Sequence, residues 1–327
     1  MRERLLRAGA ALSRYGGSAG EPVFSHLPEL DDALDWVGLH GTAQHVAAAL
    51  PVADALGAAW ERSGELRSGL TRLDGVLAAA ERAGLDDSLA VARVRRRRGR
   101  LAMRARLDDE AEQDLAAAYD VAAAHDDPLT VSVMLDRVDL ATARGDWHGA
   151  EALVPELLAR TEGSGDPLLQ AMGLNRAGWA ALGSGDVAAS RSRYERAWAL
   201  AGLHEDGVVE SRSASGLALV ACRAGELEVA RSAWRQSLGL AERLHDRAFT
   251  LQCFDGIALL LALQGKAEQA ALLLDAGSAA REQTGQPREV PVEEVAARVR
   301  ATAPAVSGPP MGYVEALAAA RAAVARS

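Results

Sequence analysis

Eight arginines crowd the fifteen residues Ala92 to Arg106, ARVRRRRGRLAMRAR. A guanidinium grips a carboxylate or phosphate through two parallel hydrogen bonds. Such a run can hold nucleic acid, an acidic peptide or a small anion. It can also be neutralised within its own chain. Asp108, Asp109, Glu110, Glu112 and Asp114 follow it, with Asp136 and Asp139 further on. Other chemistry-bearing residues are scattered. The seven histidines (His26, His40, His45, His125, His148, His204 and His245) form no HExxH, and Cys222 and Cys253 form no CxxC. No metal site is expected from such spacing. A phosphate-binding GxxxxGK[ST] loop fails at both ends of LLALQGKAEQ, with Leu260 at the first glycine position and Ala267 at the hydroxyl position. No GxSxG occurs, and acids such as Asp146, Asp186 and Glu226 sit where helices start. Neither enzyme activity nor a cofactor is expected.

The net charge of −9 works against phosphate binding. No direct nucleic-acid contact is therefore expected, and any basic patch must be local. No run approaches the roughly eighteen apolar residues of a membrane span. The start, MRERLLRAGAALSRYGG, has too short an apolar stretch for a secretory signal. Two isolated thiols suit a reducing compartment. The expectation is a cytoplasmic protein with no membrane contact.

The elements that must position the arginines are helices. Ala, Leu, Arg and Glu are strong helix formers, and they dominate a chain with only 4% aromatic residues. Gly145, Gly185, Gly225 and Gly265 recur every 40 residues, preceded by Gly64 and, in the equivalent place, Arg106. Five residues after each comes a small or short side chain: Gly69, Ala111, Ala150, Ser190, Ala230 and Ala270. Four further on comes a bulky one: Leu73, Leu115, Val154, Tyr194, Trp234 and Leu274. Spacing of four keeps these on one helix face. Another mostly small residue precedes each turn by seven: Gly57, Gly99, Val138, Gly178, Ala218 and Ala258. One helix pair cannot bury its own apolar face, whereas stacked pairs can. Six helix-turn-helix units over about 50–284 follow.

These spacings resemble the tetratricopeptide repeat, with a period of 40 in place of that family's usual ~34. The resemblance implies an all-α fold, a right-handed superhelix of about six helix pairs. The long-helix variant is typical of helical sensor domains. The flanks sharpen it. Glu29, Leu30, Asp31, Asp32, Ala33, Leu34 and Trp36, then Trp60, Gly64, Glu65 and Leu66, look like the start of the repeat region of actinobacterial ATPase-type transcriptional regulators. Arg281, Glu282, Gly285 and Pro287 resemble its end. The implied organisation is a helical lead-in (1–49), repeats (50–285), and a C-terminal linker and capping helix (286–327). The implied function is a non-enzymatic binding module, the ligand- or protein-sensing part of a regulator. The alternative is a stand-alone adaptor that holds an acidic peptide or partner helix. Patterns for the ATPase and DNA-binding domains of such regulators are absent, so the chain reads as a free-standing module or an excised region.

In that family the residues thirteen, ten and six before each turn line the groove. The resemblance thus implies Arg93, Arg96 and Arg100 in the second unit, and Asp139, with Asp136 adjacent, in the third. It implies Asn175 and Trp179 in the fourth, Arg212 in the fifth and Asp255 in the sixth. The expected partner is a protein or peptide, or a small anionic effector. The competing expectation is that the arginines pair with neighbouring acids. Arg95 and Arg98 fall at otherwise apolar packing positions and must snorkel or find buried partners. Trp60, Trp198 and Trp234 are expected in the core, with Trp179 the exception.

Overall fold

The computed structural model describes residues 27–284, 296–297, 299–301 and 310–325, the side chains of 27, 28, 62 and 284 excepted. No strand occurs among them. The helices run α1 (Leu27–His40), α2 (Ala43–Ser63), α3 (Leu66–Arg82), α4 (Leu89–Arg104), α5 (Asp108–Ala124), α6 (Leu129–Ala143) and α7 (Trp147–Gly163). They continue with α8 (Pro167–Ser184), α9 (Val187–Leu203), α10 (Gly207–Ala224), α11 (Leu227–Arg243), α12 (Arg247–Leu263), α13 (Ala267–Thr284) and α14 (Tyr313–Val324). The even-numbered helices α2 to α12 are the first helices of the six pairs. Their partners are α3 to α13. The chain divides into two compact units, 1–140 and 141–327. The division falls inside α6.

Backbone geometry explains the punctuation. Gly64, Gly145, Gly185, Gly225 and Gly265 all have positive φ, between 73° and 91°. Arg106 adopts the same left-handed conformation at φ 62°. That conformation folds the chain back on the helix just ended and satisfies its free carbonyls. After α10, Gly225 N–H donates to Cys222 O at 3.3 Å and Glu226 N–H to Ala221 O at 2.9 Å. Arg106 N–H and Leu107 N–H repeat this on Met103 O and Ala102 O. The acids that follow are not equivalent. Asp146 and Asp186 accept from Gly149 N–H and Ala189 N–H, whereas Glu65 and Glu226 make no side-chain cap. The shorter aspartate reaches its own helix start; the longer glutamate does not.

The repeated packing positions are filled. Leu73, Leu115, Val154, Tyr194, Trp234 and Leu274 are all at most 2% exposed. Two of these are large, and the next pair makes room for each. A Cβ on Gly216 would stand 2.2 Å from the Tyr194 ring, and one on Gly256 would stand 2.0 Å from Trp234. The expectation for the tryptophans needs correction at one position. Trp60 and Trp234 are buried at 1%, but Trp198 is 38% exposed. Four residues turn a helix by about 400°, so each step of four drifts roughly 40° off the face. In α9 the drift carries Trp198 outward, while Ala197 stays fully buried.

Helix α14 packs against α11, α12 and α13. It buries Ala316, Ala320 and Val324, while Val314 is 80% exposed. The Tyr313 ring lies 5.9 Å from Phe254, and the Arg247 guanidinium is 4.6 Å from its centre.

Candidate functional site

In the first unit, the buried stripe of α4 is Val91, Ala92, Val94, Gly99, Leu101 and Ala102. The arginines fill the remaining surface and meet acids from both sides. Arg100 donates to both oxygens of Glu61 on α2, at 2.6 and 3.1 Å, and to Asp136 on α6 at 2.6 Å. Arg96 reaches the other Asp136 oxygen at 2.5 Å. Arg97 lies 3.0 Å from Asp54 and 3.5 Å from Glu61. The side chain of Asp136 is only 3% exposed and that of Glu61 12%. Burial disfavours the Arg100 charge, but Asp136 and Glu61 outweigh it and raise its pKa above the usual value. Burial would raise the Glu61 carboxyl too. Its bonds to Arg100 and the charge of Arg97 win, and its pKa falls below the ordinary glutamate value.

The other arginines of the run divide by exposure. Arg93 is 53% exposed and stands 3.8 Å from Asp127. Arg95 is 3.6 Å from Asp86. Arg98 finds the buried partner its position demands, with Asp114 at 2.8 Å, Asp74 at 2.5 Å and Glu110 at 3.5 Å. Burial pushes the Asp114 carboxyl up to about 6 against the pull of Arg98. The acids after the run therefore serve chiefly Arg98. The first-helix face draws instead on Asp54, Glu61 and Asp136. The sequence reading did not single out Asp54 and Glu61. They lie about one repeat before the arginines they meet, which is the signal that could have found them. Asp139, on the turn after Asp136, is half-buried.

The second unit holds the other candidates. On α8, Asn175 donates through Nδ2 to Ser213 Oγ of α10 at 3.1 Å, and Ser213 donates to Val209 O at 2.8 Å. The Asn175 carbonyl oxygen has no partner among the described residues. Trp179, one turn further on, packs partly buried against the core, and its indole N–H makes no hydrogen bond among the described residues. Arg212 on α10 is exposed. Its guanidinium lies 5.8 Å from the centre of the Phe249 ring, and no carboxylate among the described residues pairs with it. Asp255 differs from the sequence expectation. It is fully buried and held by Arg281 of α13 at 2.5 Å, so it is closed to a ligand. A second-helix arginine reaches across the pair to it, which first-helix spacing alone does not reveal.

Among the described residues, no group of three or more His, Cys, Asp or Glu could hold a metal ion. No described helix is long and apolar enough to cross a membrane.

Fold and packing together define an all-α protein of tetratricopeptide-like helix pairs. Solved structures agree. A Rap protein complexed with competence and sporulation factor superposes with a TM-score of 0.55 at 12% identity, covering 92% of this chain and 93% of that one. One form of a Podosopora anserina putative kinesin light chain, with nearly identical TPR-like repeats, matches with a TM-score of 0.52 at 14% identity, over 60% of this chain and 96% of that one. No protein-family model matches the chain, and no curated protein matches its sequence.

Proposed function

We propose that this chain is a non-enzymatic helical-repeat binding module that takes a protein or peptide partner on the first-helix face of α8 and α10. One observation carries the reading. The candidate side chains on α4 and α6 are occupied by each other, whereas Asn175 and Trp179 keep open hydrogen-bonding groups on one face of α8. An amide with a free carbonyl and an indole with a free N–H suit the backbone of an extended segment. Tryptophan also supplies apolar contact area of the kind that dominates interface energetics. The Rap protein that shares this fold was solved with a bound factor, which favours a comparable role here.

The finer assignment is the sensing part of a transcriptional regulator. It rests on the resemblance at Glu29 to Trp36, Trp60 to Leu66, and Arg281 with Glu282; Gly285 and Pro287 lie outside the described residues.

The test is to capture the partner on the full chain and repeat the capture with Asn175→Ala and Trp179→Ala. Each change is expected to cost about 1–3 kcal/mol of binding, with the melting temperature of the Asn175 variant nearly unchanged. A partner retained at full affinity by the double variant overturns the reading. A captured partner that carries a DNA-binding domain supports the regulator assignment, and one that acts outside transcription supports an adaptor.

A further inference from the structure

We propose that Arg212 selects a carboxylate-bearing peptide, reading either an Asp or Glu side chain or a free C-terminal carboxylate. This rests on the reading of α8 and α10 as the partner face. The argument turns on which candidate arginines are already occupied. Arg96 and Arg100 share Asp136, and Arg100 also holds Glu61. A ligand carboxylate could reach them only by displacing Asp136, whose charge would then be buried without a partner. Arg93 is more open but already faces Asp127. Arg212 requires no such displacement. It is exposed, it has no carboxylate partner among the described residues, and its guanidinium is steadied by the Phe249 ring. A ring contact of this kind orients the planar fork without using its N–H donors, so the fork remains available for two-point binding of a carboxylate.

Position adds a second argument. Arg212 immediately precedes Ser213, the residue bonded to Asn175. A segment whose backbone engages Asn175 is therefore carried to the helix that bears Arg212. Asn175 and Trp179 would hold any extended chain. Arg212 would supply the charge preference.

The experiment uses the full chain and four families of short synthetic peptides on one randomised background. The first has an internal Glu and an amidated end, the second an internal Gln and a free carboxylate. The third has Gln and an amidated end, the fourth an internal Lys and an amidated end. Binding is read by fluorescence anisotropy, and melting temperature is followed in parallel. Wild type is expected to favour the first or the second family over the third by at least about tenfold, a difference that weakens with salt. The favoured family shows whether a side chain or a chain end is read. Arg212→Glu is expected to invert the preference toward the Lys family with melting unchanged, which loss of a merely structural arginine would not do. An acidic preference that survives Arg212→Glu, or is lost only in Arg96→Gln with Arg100→Gln, overturns the inference and leaves the partner face standing. Inversion by Arg212→Glu with full binding in the Asn175→Ala, Trp179→Ala variant supports Arg212 and overturns that face. No binding of any family overturns both.

Discussion

Arg100 shows how one side chain can tie three elements together. It reaches back to Glu61 on α2 and forward to Asp136 on α6 from its own place on α4. Removing one member of a buried pair costs about 3–5 kcal/mol, because the partner charge stays buried. Arg100 is 31% exposed, which lets water reach the site and lowers the expectation. Arg100→Gln should therefore destabilise the chain by roughly 2–3 kcal/mol in denaturant melts. Arg93→Gln, at an exposed 3.8 Å pair, should stay within about 0.5 kcal/mol. Equal costs would show that the pairs around Arg100 are not what the geometry implies. The acid limb carries a second signature. The folded pKa of Glu61 is depressed, so its stabilisation is present above the unfolded value and lost as pH falls through the folded one. Wild type should lose stability more steeply across that acid window than Arg100→Gln does.

At the scale of the helices, three glycines that look alike in the sequence should respond differently to alanine. At Gly256 a Cβ would stand 2.0 Å from the Trp234 ring, so Gly256→Ala is expected to cost about 1–3 kcal/mol through overpacking. At Gly265 there is open space, but φ is +78°, and Gly265→Ala should cost about 1 kcal/mol through backbone strain. Gly239 lies within α11 with nothing within 4 Å, so Gly239→Ala should stabilise by up to about 1 kcal/mol. Thermal melts of the three variants check the order, and any other order would break the link between packing and position. The same glycines show what was legible. The turns were, because a left-handed residue leaves glycine at a fixed period. The small position after each turn was legible too, because every pair needs it. The relation between Tyr194 and Gly216, or Trp234 and Gly256, was not. It joins one pair to the next and exists only where the large residue is aromatic, so no single period carries it. Trp198 was misplaced for the opposite reason, since a period of four was followed one step further than helix geometry allows.

For the molecule as a whole, the arginine run changes meaning once its partners are known. Residue types alone left nucleic acid, acidic ligand and self-pairing open, and the choice depended on acids nearly a full repeat away, which only folding brings close. Six of the eight arginines, at 93, 95, 96, 97, 98 and 100, have a carboxylate within 4 Å. Non-specific nucleic-acid affinity comes from displacing counterions with unpaired Lys and Arg. A guanidinium already facing a carboxylate contributes little to that displacement, and the chain's net charge of −9 repels the duplex from further off. The protein should therefore bind a short random duplex more weakly than about 10⁻⁴ M even at roughly 50 mM salt, conditions that favour non-specific binders. Anisotropy of a labelled duplex across a salt series measures this. Micromolar binding that falls steeply with salt would show that the run is free to meet phosphate and that the internal pairs yield to it. The same series repeated with Asp54→Asn, which removes one partner of Arg97, should shift the affinity only slightly, because Glu61 remains 3.5 Å away.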